Sequence, residues 1–189
     1  MSPFHPALQP RVLIFIDNKK LAARISSHLD LCLAPTLQNK GIIVHYHSKM
    51  SEKYLQIAHD SFIREDGVCR IMVATSAQSV GIDFLNMKIV CTVGLPSTTT
   101  DTLQRGGCAF QSSNEDALFV MFHEPWVHEI SLDDFQNFDA ADLDCPRVPL
   151  KANSQCVKIT QECLCIQKGF STYLGDESMD SAAYIILMI

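Results

Sequence analysis

"RVLIFIDNKKLAARISSHLDLC", residues 11–32, decides the fold. Its first seven residues form a β-branched and aromatic run without polar alternation, the pattern of a strand buried on both faces. Asn18 stands where a helix N-cap belongs, and Leu21, Ile25, Leu29 and Cys32 then recur at helical spacing. Pro35 ends that helix, because its ring cannot continue the hydrogen-bond ladder. A buried strand feeding an amphipathic helix is half of a repeating layer, and the rest of the chain supplies the other halves.

"GIIVHYH" (41–47) reads as a second strand. Ser51 opens a helix whose Leu55, Ala58 and Phe62 share a face, closing near Gly67. "CRIMVAT" (69–75) and "KIVCTVGLP" (88–96) are a third and a fourth strand. A short helix around 98–106 and a fifth strand at "ALFVMF" (117–122) complete the series. Strands that alternate with helices and are nearly uniformly apolar predict an α/β fold, a doubly wound parallel sheet with helices on both faces. Ligands of such sheets bind at the carboxyl ends of the strands. The loops after Thr75, after Pro96 and around 104–111 are therefore the candidate site.

Four segments result. Residues 1–10, with three prolines, are a linker or a cut edge, and 11–125 form the α/β domain. Residues 126–150 are acidic and turn-rich, and 151–189 carry a helix-like stretch, so a short, mostly helical extension is expected. The net charge of −6 with 15 Lys and Arg leaves no global basic footprint, so nucleic-acid contact needs a local patch or a partner domain. No stretch reaches the roughly 18–20 apolar residues that span a bilayer. The eight cysteines are irregularly spaced, and most of the first four lie inside apolar runs, as small buried hydrophobes do. Reduced thiols in an intracellular compartment are expected.

"VLIFIDNKKLAARISSHL", "VHYHSKMS", "VATSAQSVGID" and "GLPSTTTDTLQRGG" stand in the order and spacing of the second RecA-like lobe of superfamily 2 helicases. Within that superfamily the chain most resembles RecQ-type DNA helicases. The resemblance covers about residues 10–125 and implies a RecA-like fold, ATP-driven 3′ to 5′ translocation on DNA in intact relatives, and a nuclear address. Downstream, "CIQKGFSTYLGDE" (165–177) resembles the start of the zinc subdomain of those helicases, which places Cys165 at a remnant zinc-ligand position. The chain then runs on as "SMDSAAYIILMI" without another cysteine. A closed zinc site, which wants four ligands, is not expected.

The resemblance also implies a division of labour. ATP and Mg²⁺ are held by a first lobe, with its Walker-type loop and acidic pair. Neither G-x-x-x-x-G-K-[ST] nor D-E-x-H occurs in this sequence, so it needs a first lobe, in cis or in trans, to build an ATPase site. The second lobe of the family supplies arginine fingers from Gln-x-x-Gly-Arg-x-Gly-Arg, typically worth about 10³–10⁵ in rate. Gln104 and Gly107 match that frame; Cys108 and Gln111 fall on the two arginines, and Phe110 on the second glycine. Arg105 occupies the variable position after the glutamine. Neither a thiol nor an amide replaces a guanidinium charge, so the chain alone is expected to hydrolyse no ATP.

Gly81, Asp83, Gln104 and Arg105 are expected at the ATP cleft; Asp83 alternatively closes its own turn. Lys49, Thr75 and Ser76 are expected to contact the backbone of DNA, single-stranded or at a duplex junction, although Lys49 equally suits a solvated surface. His45 and His47 flank Tyr46 on one strand face, without a third metal ligand nearby in sequence. Trp126 offers a base-stacking platform or ordinary packing. Three readings share the fold: a helicase lobe that is a fragment or degenerate copy, a non-catalytic nucleic-acid- or protein-binding module, and a product without function.

Overall fold

A computed structural model describes residues 4–75, 87–108, 117–131, 154–162, 169, 175 and 185–188. After a short 3-10 turn at Pro6–Leu8, the strands are β1 (Val12–Ile16), β2 (Ile43–Tyr46), β3 (Ile71–Ala74), β4 (Ile89–Val93), β5 (Leu118–Phe122) and β6 (Ile185–Met188). The helices are α1 (Lys19–Cys32), α2 (Glu52–Ile63), α3 (Thr99–Gly107), the single turn α4 (Trp126–Glu129) and α5 (Ser154–Glu162). All strand pairs are parallel, in the order β2-β3-β1-β4-β5-β6.

The period of two along each strand sorts side chains into two cores. Leu13 and Phe15 of β1, with Met72 and Ala74 of β3, face Ala58 and Phe62 of α2. Ile14 and Ile16 of β1, with Ile71 and Val73 of β3, pack against Ala22, Ile25 and Leu29 of α1. Both faces of the sheet are thus covered, which is why its strands lack polar alternation.

The helix caps match their sequence signals. The Asn18 side chain accepts from the amides of Lys20 and Leu21 at 3.0 and 3.1 Å. Ser51 Oγ accepts from Tyr54 N–H, and Thr98 Oγ1 from Asp101 N–H. Gly67 is a steric necessity: a Cβ there would lie 1.9 Å from the Ser61 carbonyl oxygen. Gly94, at φ +88°, turns the chain out of β4 in a conformation that other residues adopt only with strain.

One expectation changes. The buried stripe of α1 is rotated from Leu21 and Cys32 toward Ala22 and Ser26; Leu21 is 38% exposed and Cys32 lies at the surface. Small residues let the helix approach the sheet closely, with Ile25 and Leu29 packing beside them. The C-terminal extension, expected to be mostly helical, carries the helix Ser154–Glu162 and adds a strand. The run "IILM" is a strand paired with β5, with Leu118 opposite Ile185 and Met121 opposite Met188. A short apolar run suits either state, and an open sheet edge supplies the backbone partners that select the strand.

The α1 register has a direct test. Ala22→Leu is expected to cost about 1–3 kcal/mol through overpacking, whereas Leu21→Ala should cost well under about 1 kcal/mol. Urea denaturation of both variants measures the difference.

Candidate nucleic-acid and nucleotide interface

The parallel registers bring the carboxyl ends of β1 to β5 to one edge, with Phe15 level with Ala74, Tyr46 with Ala74, and Ile16 with Val93. Asp17 and Asn18 follow β1, His47 to Lys49 follow β2, Thr75 follows β3, and Gly94 to Thr98 follow β4. Lys49 is exposed. Its backbone N–H donates to Nδ1 of His47 at 3.3 Å, and the Met50 N–H donates to the His47 carbonyl, so the turn holds itself. The His45 and His47 rings are 5.8 Å apart, and burial, then the neighbouring His47, lowers the His45 pKa. Lys20 at the start of α1 and Lys53 in the first turn of α2 add exposed ammonium groups that the motif reading did not single out.

Thr75 is less accessible than a surface phosphate contact requires, at 3% exposure. Its N–H donates to the Tyr46 carbonyl at 3.1 Å, and its hydroxyl has no partner among the described residues. Ser76, Gly81, Asp83, Gln111 and Cys165 lie outside the described residues. Among the described residues no group of three His, Cys, Asp or Glu side chains could hold a metal ion.

Helix α3 carries Gln104, Arg105 and Gly107, and its side chains divide sharply. Gln104 is exposed. Arg105 is fully buried. Its Nη2 donates to Asp17 Oδ1 and Asp101 Oδ2, both at 2.7 Å, and Nη1 donates to Thr92 Oγ1 at 2.8 Å. The guanidinium carbon lies 5.5 Å from the centroid of the Phe15 ring, within cation–π range. Arg105 Nε has no partner among the described residues. The expected cleft-facing side chain thus points inward and ties α3 to β1 and β4.

Cys108 also faces inward. It is 7% exposed within the cluster of Leu13, Phe15, Met87 and Phe119, and its thiol donates to the Gln104 carbonyl at 3.4 Å. Burial raises its pKa, so the group is a neutral thiol. Burial likewise pushes Cys69 up to about 12 and Cys91 to about 11. Trp126 is half-buried and donates its indole N–H to the Glu124 carboxylate.

Part of the Arg105 cage was legible in sequence: Asp101 and Arg105 are spaced i, i+4 on a short helix, an ion-pair spacing. Asp17, 88 residues from Arg105, carries no such local signal.

Parallel strand order, helices on both faces and a site edge at the strand carboxyl ends define a RecA-like α/β lobe. Residues 5–110 match the family described as "Helicase conserved C-terminal domain", and the chain belongs to that family, within superfamily 2. It is 28% identical over 118 residues to the ATP-dependent RNA helicase DBP3 of Lodderomyces elongisporus, covering 62% of this chain and 20% of that protein. It is 26% identical over 125 residues to DEAD-box ATP-dependent RNA helicase 5 of Oryza sativa, covering 65% and 22%. The chain thus spans about a fifth of the length of these relatives. Its fold matches the Mycobacterium smegmatis helicase Lhr bound to ssDNA and AMP-PNP, with TM-score 0.55, 23% identity, and coverage of 87% of this chain and 21% of that one. Saccharomyces cerevisiae Dbp5 bound to RNA and ADP BeF3 matches with TM-score 0.55, 13% identity, and coverage of 96% and 35%. These relatives are a broader set than the RecQ-type group expected from the motifs.

Two predictions follow from the inward-facing side chains. Arg105→Ala should destabilise by about 1–3 kcal/mol, because it leaves the buried Thr92 hydroxyl and the partly exposed Asp17 and Asp101 carboxylates without their donor; chemical denaturation reads the loss. A thiol reagent at pH 8 should label exposed Cys32 quickly, while Cys69, Cys91, Cys108 and Cys156 react only after denaturation, since buried protonated thiols are inert. Peptide mapping of the labelled protein distinguishes them.

Proposed function

We propose that this chain acts as the second motor lobe of a superfamily 2 helicase that contacts a single nucleic-acid strand and hydrolyses no ATP by itself. The observation that carries the proposal is the inward placement of Arg105 and Cys108. Neither presents a free guanidinium from α3 to a phosphate. ATP and Mg²⁺ would be held by a first lobe, in cis or in trans, against the edge that carries Gln104, with Gly81 and Asp83 as the further expected cleft residues. Exposed Lys49 would contact a sugar-phosphate backbone, and Thr75 and Ser76 complete the expected set. Such contacts position a strand and carry no sequence information.

The RecQ-like reading, with DNA as partner and a nuclear address, is supported by "CIQKGFSTYLGDE", which continues the motif series downstream of the lobe. The names of the matched RNA helicases support RNA instead. A second reading, a binding module derived from a helicase lobe, is favoured by the uncharged residues at both finger positions, Cys108 and Gln111.

Titration of ssDNA and ssRNA of equal length against the full chain, at several salt concentrations, tests nucleic-acid contact. Measurable affinity that falls with salt, and a salt slope reduced by about 0.7 in Lys49→Ala, is expected. Affinity that is absent for both strands at low salt would overturn the proposal, and the tighter strand decides between DNA and RNA. Purified chain should show no nucleic-acid-stimulated ATPase activity. Addition of a compatible first lobe should leave the rate at that of the first lobe alone, and clear stimulation by the native chain would show that another group serves as the finger.

A further inference from the structure

Helix α5 lies beyond residues 5–110, the segment shared with the helicase family, yet it is built into the lobe. Cys156, Val157, Ile159 and Thr160 are all buried. The Cys156 thiol lies 3.6 Å from Thr102 Oγ1 and 3.9 Å from Thr99 Oγ1, seated on α3 one turn before Arg105. At the other end of α5, the Gln161 amide donates to the carbonyls of Val127 and Ile130, the latter at 2.8 Å. Those oxygens belong to the end of α4, where the helix leaves its last carbonyls without partners of its own. One helix therefore closes over α3 and caps α4 together.

Helix α3 needs such support. Nine residues are too few for a stable isolated helix, so α3 depends on tertiary contacts. Toward the sheet it is held by Arg105 on Asp17 and Thr92. Its Thr99 and Thr102, 5% and 1% exposed, meet α5. Removing one of the two holds leaves a helix fastened at a single side.

We propose that α5 is the positioning element of α3. Its docking sets where the helix bearing Gln104, Arg105 and Cys108 sits, and its release loosens that helix while the sheet stays folded. Segments of this kind open in contiguous local units below the global unfolding limit. The inference rests on the α3–α5–α4 contacts and is independent of any nucleic-acid or nucleotide partner.

The test is native-state hydrogen exchange of the full chain, wild type against Gln161→Ala and Cys156→Trp. The first removes the amide that caps α4; the second forces α5 away from Thr99 and Thr102. Amides of Thr102 to Cys108 should exchange at least about tenfold faster in both variants, while those of β1 and β3 keep their protection. The Arg105 side-chain Nε–H resonance should shift in the same samples. Phe62→Leu, which weakens the α2 core on the same sheet, serves as control and should not single out α3. Unchanged α3 protection in Gln161→Ala, or uniform acceleration of all amides in proportion to lost global stability, overturns the proposal. If Cys156→Trp fails to fold, Gln161→Ala decides alone, because Gln161 is only partly buried.

Discussion

A single buried guanidinium organises the site edge. Arg105 reaches from α3 to a carboxylate at the end of β1, a hydroxyl on β4 and a carboxylate on its own helix, with the Phe15 ring within cation–π range. Such an ion cluster adds little net stability over an apolar replacement, since desolvation consumes much of the Coulomb gain. Its force lies in its geometry. A planar fork with fixed N–H directions accepts only one placement of its partners, so α3 cannot slide or rotate without breaking several charge-assisted bonds together. The partial exposure of Asp17, at 49%, and Asp101, at 19%, lowers the desolvation cost while the guanidinium stays dry.

Around that clamp the sheet works as a two-sided scaffold. Alternating side chains of β1 and β3 feed the α2 core on one face and the α1 core on the other. The carboxyl ends of the strands are left to the loops, where backbone turns and exposed lysines gather. Gln104 is displayed from α3, but Cys108 at the helix end is drawn into the apolar cluster with Phe119. The substitution is thus compatible with its site: a thiol packs as a small hydrophobe, whereas an arginine at the same backbone position would have to escape outward or remain buried and unpaired.

The strands and helices were legible because each carries a local pattern. Apolar runs marked β1 to β5, and Asn18 and Ser51 stood where helix starts were needed. The rotation of the α1 stripe was not legible, because Leu21 and Ala22 both fit a helical repeat and only the distance to the sheet selects between them. The state of "IILM" was also undetermined, since its strand pairing uses a β5 edge 67 residues upstream, counted between paired Leu118 and Ile185. The candidate site divided in the same way. The local pattern put Gln104 and Arg105 on a short helix and Lys49 in the turn after β2, but gave no direction for the Arg105 side chain.

By itself the sequence determined the α/β alternation, the helix starts and the absence of charge at Cys108 and Gln111, because each is a property of the residues themselves and their neighbours. Only the tertiary structure decided that Arg105 is buried between β1, β4 and α3, that Cys108 belongs to the core, and that α5 closes over α3. Those outcomes depend on pairs such as Asp17 with Arg105 and Thr102 with Cys156, separated by 88 and 54 residues. Contacts at such separations leave no periodic or spacing signal in the chain; they exist only once the sheet has brought the partners within hydrogen-bonding or van der Waals reach.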